Sequence, residues 1–546
     1  MGSDRGSAVN DGGSATRGVL ATLAAGQFVM ALDSTVMNVS IVTVAEDVGT
    51  DITGIQTAIT LYTLVMASLM VTGGKVGQIL GHKRAFVIGA VIYAAGSLTT
   101  ALAPNLLVLL IGWSLLEGIG AALILPAIVA LVASNFSLDE RPRAYGLMAA
   151  GAAVAIAVGP LIGGLCTTYL SWRWVFVGEA VVIGGILVFS RRMAASPADP
   201  TVRLDLVGTV LSAIGLGGFV FGILRSGVWG FVSPAPDAPE FAGISLAFWS
   251  MLVGCAILWG FIRWEQRVLD RGGAPLVDPS MLTNVRLRTS LLAFGFQFLL
   301  QGGLFYLISL YLSVALGLSA IGTGVRLMPL SITLLGAAVL IPKLLPTASP
   351  RRIARFGFGA LVGGTSLLLV LLHFGDGPAV VTGPLLLAGL GAGALASQLA
   401  NVAVSSVPEE RSGEVGGLQN TATNLGASIA TALAGAVLVS ALTSSFMIGL
   451  AGNPDVPAEV IAAAETELVA GVPFLSDAQL VAALEQTELS PAVVDEILEV
   501  NTDARIEALR RTLGVLVLIG VGALFVGRRL PDEQPSLSPQ TEPITS

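Results

Sequence analysis

The hydrophobic positions of the chain form fourteen long runs separated by short polar segments. The runs lie near residues 18–44, 54–74, 84–103, 106–134, 144–170, 174–190, 205–225, 243–262, 289–317, 322–342, 356–374, 379–405, 415–446 and 512–527. A helix needs roughly 20 apolar residues to cross ~30 Å of hydrocarbon, and most of these runs hold no charged residue. A soluble amphipathic helix keeps a polar face toward water and does not need this length or purity. The pattern predicts an all-α polytopic membrane protein with fourteen spans.

The composition agrees with this prediction. Of the 546 residues, 54% are hydrophobic and 12% are charged, whereas a soluble domain carries about 25% charged residues. The 66 glycines fit membrane helices that pack closely together. The net charge of −8 arises mostly in one loop and the tail, and it does not favour a nucleic-acid partner. Cys166 and Cys255 lie inside apolar runs and are expected to be free thiols.

Lys and Arg residues set the orientation, because cytoplasmic loops carry an excess of both. With the N-terminus in the cytoplasm, all but six of the 28 Lys and Arg residues fall in cytoplasmic segments. The outer loops after spans 1, 3 and 11 contain none. We therefore expect a multi-pass protein of the cell membrane with its N- and C-termini in the cytoplasm.

Three polar segments lie outside the spans. Residues 1–17 and 531–546 are predicted to be a disordered cytoplasmic N-terminus and a disordered cytoplasmic tail. Loop 447–511 is acidic and is predicted to be extracytoplasmic, with two or three short amphipathic helices. One of these is expected to start at Ser490-Pro491, since Pro is common at the first helical position. The loop is either a solvated insertion or a lid over the outward opening.

Glycines and basic residues mark the turn after span 2, which reads GKVGQILGHKR from Gly74 to Arg84. Glycines permit a tight turn, and the basic cluster anchors it at the cytoplasmic face. In this position the segment resembles the loop signature of the major facilitator superfamily. The resemblance implies a gating role, although the family usually has an acid at Gln78 that helps to lock the inner gate. The candidate gating residues here are Gly74, Gly77, Gln78, Gly81, Lys83 and Arg84.

Span 5 carries small residues at four-residue spacing, which places them on one stripe where a neighbouring backbone can approach closely. Pro160 adds a bend. The string AVGPLIGG over residues 157–164 resembles the antiporter signature of the same superfamily, which implies export rather than import. The candidate gating residues in this span are Gly151, Gly159, Pro160, Gly163 and Gly164.

Three further stretches resemble the fourteen-helix drug:proton antiporter branch of that superfamily. They are LDSTVMNVS at 32–40, SWRWVF at 171–176, and VPEERSG at 407–413 followed by GLQNT at 417–421. The resemblance implies a major facilitator fold with a central cavity. Residues 18–192 and 286–530 would form two six-helix bundles, and 204–264 would hold two inserted transmembrane helices.

The sequence departs from the branch in two spans. The usual proline near Val42 is missing from span 1. In span 4, Ser114 stands where the family has an arginine tied to proton coupling, and Glu117 stands where glutamine is common. A membrane cation has been lost and a membrane acid gained.

Ionisable groups inside spans are costly and are candidates for function. Asp33 lies roughly 22 Å from the inner end of span 1, and Glu117 about 16 Å from the outer end of span 4. A desolvated carboxyl group at that depth can pick up and release protons. The candidate proton-coupling residues are Asp33, Glu117, Glu179 and Arg326. For the acids the alternative is a packing role, and Arg326 is either a counter-ion or an outer-interface residue.

Uncharged polar residues also occur inside the spans, where they either hydrogen-bond between helices or line a water-filled cavity. Their concentration in span 13 favours a cavity wall. The candidate cavity residues are Asn38, Gln297, Gln301, Gln398, Asn401, Asn420 and Asn424.

These features predict a secondary active exporter, monomeric and not an enzyme, which uses the proton gradient to move amphipathic organic compounds out of the cell by alternating access. We find no phosphate-binding Gly-Lys-Ser/Thr loop, and we predict no metal site and no cofactor. The predicted lining bears more acids than bases, which favours neutral or cationic cargo. Two alternatives remain at this point: a non-transporting receptor or lipid-handling protein that uses the acidic outer loop, and a proton-coupled importer.

Overall fold

The computed structural model describes residues 7–50, 52–194, 198, 203–234, 238–373, 377–408, 411–457, 459–461, 464, 474, 477–484 and 489–532. Fourteen of its helices are long and apolar enough to cross a membrane. We number them α1 to α14 in chain order. Their bounds are Ser7–Asp47, Ile52–Leu80, His82–Ala101, Leu106–Asn135, Arg141–Tyr169, Arg173–Phe189, Leu206–Trp229, Leu246–Asp270, Val285–Ala315, Ala320–Leu344, Pro350–Leu371, Thr382–Val404, Ser412–Gly452 and Pro491–Gly527.

The polar connections begin several helices with side-chain caps. Asn105 accepts from the Val108 amide at the start of α4, Asp205 accepts from Val207 at α7, and Ser349 accepts from Arg352 at α11. Such caps satisfy backbone N–H groups that have no partner inside the helix. The short loops between these helices therefore hold successive spans next to each other.

The spans form the predicted two bundles with an inserted pair. In the first bundle, α1 packs against α5 and α6, while α4 packs against α2 and α3. In the second bundle, α9 packs against α13, and α12 packs against α10 and α11. Helices α7 and α8 pack on each other, and α7 also contacts α2 and α13. The inserted pair thus touches both bundles.

Two seams join the bundles. Helix α5 packs against α10 and α12, and α13 packs against α2 and α4. Small residues permit the approach: a Cβ atom on Gly146 would lie 2.7 Å from the Ala338 carbonyl oxygen, and one on Gly416 would lie 2.8 Å from the Pro126 oxygen. The two bundles therefore meet backbone to backbone along part of their interface.

A two-residue hairpin precedes α8. Strands Glu240–Phe241 and Ile244–Ser245 pair antiparallel, with Glu240 opposite Ser245. Farther along, Asp278 in the connection from α8 to α9 accepts a 2.6 Å bond from Arg411. Burial raises the pKa of Asp278, but hydrogen bonds from Ser280 and Arg411 outweigh it and hold that pKa below its ordinary value. This ion pair ties the connection to the start of α13.

The helices at both ends of the chain are longer than the apolar runs predict. Helix α1 begins at Ser7, so residues 7–17 are helical where the sequence predicts disorder. Extending a formed helix by one residue costs less free energy than nucleating a new helix, so the polar segment 7–17 is helical as a continuation of the apolar span. The disorder predicted for residues 1–6 and 533–546 falls outside the described residues.

The outer loop differs from its prediction in the same way. Helix α14 starts at Pro491 with Ser490 as its N-cap, as the Ser-Pro pair predicts, but it continues without a break into the last span. Among the described residues of the loop, 459–461 and 464 are helical, and a short helix, Asp477–Leu484, packs on α14 through an ion pair between Asp477 and the buried Arg505. At 1.5 Å per residue the 37 residues of α14 exceed the length that crosses the hydrocarbon core.

Candidate functional site

Three acidic side chains from three helices meet inside the first bundle. Asp33 of α1 and Glu117 of α4 are 0% exposed, and Glu179 of α6 is 2% exposed. One carboxylate oxygen from each lies within 4.8 Å of the other two. We call these three residues the acidic cluster. The sequence singled out each acid, but nothing in it predicted that they converge.

Aromatic and hydroxyl donors surround the acidic cluster. The Trp113 indole N–H donates to Asp33 Oδ1 at 2.7 Å, and the Tyr93 hydroxyl donates to Glu179 Oε2 at 3.3 Å. Tyr62 stacks on Trp113 with 5.2 Å between ring centroids. Among the described residues, Asp33 Oδ2, Glu117 Oε2 and Glu179 Oε1 have no hydrogen-bond partner. Each acid therefore keeps one oxygen free.

Glu117 ends a stretch of π-helix, Leu110–Glu117, inside α4. π-Helical turns are rare and often occur at functional sites. Glycine makes room beside this turn: a Cβ atom on Gly96 of α3 would lie 2.7 Å from Glu117 Cγ. The irregular turn and the close α3 backbone together seat the Glu117 carboxyl in the bundle interior.

Three carboxylates this close in a low-dielectric interior cannot all be ionised at once, because like charges there repel strongly. Trp113 and Tyr93 donate to the cluster, Thr100 Oγ1 lies 3.4 Å from Glu117 Oε1, and none of the described hydrogen bonds comes from Lys or Arg. The spacing would also suit a hard cation. Each acid can also bind a proton on the oxygen that has no partner among the described residues.

Arg326 and Ser114, which the sequence also singled out, are not part of the acidic cluster. Arg326 lies on α10 of the second bundle and is half-buried. Ser114 is fully buried, and its hydroxyl donates to the Ala58 carbonyl oxygen of α2 at 2.8 Å. At the place where the family has an arginine, the structure thus has a helix-to-helix hydrogen bond.

A central cavity of about 130 Å³ lies between the bundles. Its wall combines aromatic residues with amides, including Phe294, Gln297, Phe298, Gln301, Gln419 and Asn420. Of the described residues that line it, none is charged. The acids predicted to influence cargo charge are therefore sealed in the acidic cluster rather than exposed on this wall.

The remaining candidate cavity residues lie elsewhere. Gln398 and Asn401 are buried in α12 and are not part of the wall. Asn424 lies one turn beyond Asn420, and its amide donates to the Asn420 backbone oxygen at 2.8 Å. The side chain of Asn38 falls outside the described part of the chain.

A buried ion pair closes the seam between α2 and α13. Lys75 Nζ lies 2.9 Å from Glu414 Oε1, and the two side chains are only 5% and 3% exposed. The backbones of Gly74 and Gly413 meet beside it. This pair joins the predicted gating turn of the first bundle to the second bundle. Glu414, in the first turn of α13, is the only visible signal of this pair in the sequence, and the pairing itself was not predicted.

The rest of the gating turn is held locally. Gly81 has φ 87°, a conformation that favours glycine, and Lys83 donates to the Met193 carbonyl oxygen at 2.6 Å. Arg84 is exposed. The buried Oε1 of Gln78 has no hydrogen-bond partner among the described residues. Because glutamine is uncharged, Gln78 cannot form the ion pair that an acid at this position could form. The only ion pair described across this seam is the one between Lys75 and Glu414.

The stripe of small residues on α5 faces α1. Gly159 meets the Thr35 side chain, and a Cβ atom on Gly163 would lie 3.2 Å from Val36 Cγ1. One on Gly151 would lie 3.4 Å from the Ala24 oxygen. Pro160 and Gly164 lie in the same helix. The close approach expected of the stripe is present, and it is made to the helix that carries Asp33.

A second, acidic cavity of about 580 Å³ lies between the C-terminal part of α13 and the N-terminal part of α14. Glu496, Glu499, Asp503 and Glu507 line it. Asn453 donates to Glu496 at 2.7 Å across the gap. The acidic loop thus forms a concave surface whose residues are distinct from the acidic cluster.

Two helical bundles around a central cavity, with ionisable groups buried in one bundle, define a membrane transporter fold. The sequence profile of the Major Facilitator Superfamily matches residues 23–431, and the chain belongs to this family.

Relatives and solved structures agree with this assignment. The chain is 30% identical to the puromycin resistance protein of Streptomyces alboniger over 442 residues, covering 80% of this chain and 84% of that protein. It is 28% identical to the tetracenomycin C resistance and export protein of Streptomyces glaucescens over 446 residues, covering 78% and 77%. The structure of the proton:xylose symporter XylE matches with a TM-score of 0.55 at 12% identity, covering 96% and 98%. This last likeness concerns the fold alone.

Proposed function

We propose that this protein is a proton-coupled exporter of amphipathic organic compounds. It lies in the cell membrane with both termini in the cytoplasm and the segment 447–511 outside. The cargo occupies the central cavity, and the acidic cluster exchanges protons. No further cofactor is needed, because the proton gradient supplies the energy.

The relatives support the direction of transport. Their names describe resistance to puromycin and resistance to and export of tetracenomycin C, both organic compounds. The α5 stripe that resembles an antiporter signature packs directly on α1. Together these findings favour export over the importer alternative. They also favour transport over a receptor or lipid-handling role.

The observation that carries the proposal is that two helices connect the acidic cluster to the cavity. Asp33 and the wall residue Gln27 both belong to α1, about 9 Å apart along its axis. Glu117 and the wall residue Ile128 both belong to α4. A change in the number of bound protons alters the repulsion among the three acids. Any resulting shift of α1 or α4 moves the cavity wall, which links proton binding to cargo binding.

The experiment is a susceptibility panel. A host that lacks its own efflux pumps expresses the protein, and growth is measured against chemically diverse inhibitors. We expect resistance to several amphipathic compounds, lower accumulation of them in cells, and loss of both effects when an uncoupler collapses the proton gradient. An unchanged susceptibility profile with normal membrane expression would contradict the proposal, as would export that survives the uncoupler.

A further inference from the structure

We infer that the central cavity selects uncharged aromatic compounds that carry hydroxyl or N–H hydrogen-bond donors. This inference rests on the proposed function, since it assigns the cargo class of the same site. Three glutamines are the specificity-determining residues: Gln297 and Gln301 of α9 and Gln419 of α13.

The three glutamines present unused acceptors. Among the described residues, the Oε1 atom of each is buried without a hydrogen-bond partner. The orientation of Gln297 is fixed, because its Nε2 donates to the Ala392 carbonyl oxygen at 3.4 Å and a flipped amide would set two oxygens together. A buried acceptor without a partner is costly, so a ligand that donates to it gains that free energy on binding.

Three other polar side chains on the wall donate to backbone oxygens. The Tyr145 hydroxyl donates to the Val129 oxygen at 3.0 Å, and the Thr423 hydroxyl donates to the Gln419 oxygen at 2.9 Å. The Asn420 amide donates to the Gly416 oxygen at 2.9 Å. The three glutamine Oε1 atoms have no such partner among the described residues, so a cargo that donates hydrogen bonds would satisfy them.

The charge and shape of the wall complete the assignment. None of the described lining residues is charged, so a bound cation or anion would be desolvated without a counter-charge. Phe294 and Phe298 supply flat apolar contacts, which suit an aromatic scaffold. An uncharged, aromatic wall with three unpartnered acceptors matches a neutral phenol or aromatic amide better than a quaternary ammonium or a carboxylate.

The test compares two ligands of the same scaffold on the purified full-length protein in lipid nanodiscs. A dihydroxynaphthalene and its dimethyl ether share shape and apolar area, but only the diol can donate. Fluorescence titration measures both affinities, and tetraphenylphosphonium serves as a cation without donors. We expect the diol to bind about tenfold tighter than the ether and the cation to bind weakest.

Glutamine variants assign the effect to the wall. Gln297→Leu, Gln301→Leu and Gln419→Leu remove one acceptor each and should bring the diol-to-ether affinity ratio toward one. Gln266→Leu is the control, since Gln266 is exposed at the far end of α8 and bonds Asp270; it should keep the ratio.

The inference is overturned by equal affinities in the unchanged protein, by tighter binding of the ether or the cation, or by no binding of the diol. A ratio that persists in all three cavity variants overturns it as well. These binding results do not depend on transport. Failure of the proposed function would appear separately, as a diol preference in a protein that confers no resistance.

Discussion

At the scale of single residues, Asp33 is bound through one oxygen to Trp113 while its other oxygen has no partner among the described residues. Asp33→Asn keeps the shape and an acceptor for the indole but cannot exchange a proton. We expect this variant to reach the membrane folded and to lose export entirely, measured as cargo accumulation in cells. Glu46→Gln is the control, because Glu46 is an exposed acid on the same helix. Normal export by Asp33→Asn would remove this residue from the coupling.

Glu117 gives a second residue-scale prediction. It shares the interior with Asp33 and Glu179, so its protonation state depends on theirs. Glu117→Gln removes one exchangeable proton and should flatten the dependence of efflux on pH without abolishing efflux. The check is the initial efflux rate across a series of external pH values for both proteins. An unchanged profile would mean that Glu117 is a packing residue and that Asp33 carries the proton alone.

Restoring the family's arginine at Ser114 is a poor test of the same idea. Ser114 is 0% exposed and bonds the Ala58 backbone, so an arginine there would overpack the junction of α2 and α4. The resulting loss of packing would hide any electrostatic effect.

The sequence predicted which residues carry charge in the membrane but not how they meet. A single Asp, Glu or Arg in an apolar run is visible in the sequence because such residues are rare there. Convergence depends on how α1, α4 and α6 rotate about their axes, and no periodic pattern in nearly uniform apolar runs reports that rotation. The donors Tyr93 and Trp113 were missed for the same reason.

At the scale of elements, the contact between α1 and α5 depends on the absence of a side chain at Gly159. Gly159→Leu would press four extra carbons against Thr35 and Leu32, and overpacking of this kind costs about 1–3 kcal/mol or more. We expect reduced export with little loss of membrane expression. Gly185→Leu is the matched control, because a Cβ atom at Gly185 on α6 meets nothing within 4 Å. Equal export by the two variants would show that the α1–α5 contact does not move.

The length of the apolar runs and their lack of charged residues predicted all fourteen spans, since hydrocarbon thickness sets the number of apolar residues that a helix needs. The length of an apolar run does not show how far a helix continues beyond the membrane. Helices α1 and α14 continue through polar residues, from Ser7 and from Pro491, where hydrophobicity carries no signal. The π-helical turn before Glu117 was equally invisible, because it changes the hydrogen-bond register without changing the composition.

At the scale of the whole molecule, the Lys75–Glu414 pair holds the two bundles together on the side that the charge bias assigns to the cytoplasm. Removing one partner of a buried pair costs about 3–5 kcal/mol, because the other charge stays buried without compensation. Glu414→Gln should therefore favour the state in which this side is open. In a protein with Cys166 and Cys255 replaced by serine, a cysteine at Thr72 should react faster with a membrane-impermeant thiol reagent added from the cytoplasmic side.

The double variant that combines Lys75→Glu with Glu414→Lys is the control for the Glu414→Gln experiment. It restores the pair but places a cation in the first turn of α13, where the helix dipole favours an acid. Partial return to slow labelling is expected. Equal labelling of the unchanged protein, the single variant and the double variant would show that the pair does not hold this side closed.

The two-bundle arrangement followed from the number of spans and the family resemblance, whereas the contacts between bundles did not. Lys75 and Glu414 are 339 positions apart, and a single sequence contains no information that pairs them. The uncharged central wall was also missed. An amide inside a span looks the same in the sequence whether it is buried away from the cavity, as Gln398 is, or lines the cavity, as Gln301 does.

The central claim is that proton movement through the acidic cluster drives export, and one measurement tests it most directly. The purified protein is reconstituted in sodium-free liposomes that contain a pH-sensitive dye, and a gradient of an exported compound is imposed. Movement of the compound should drive protons the opposite way and change the internal pH, and the Asp33→Asn protein should produce no change. Cargo movement without a pH change, or an unaltered pH change in Asp33→Asn, would contradict the claim.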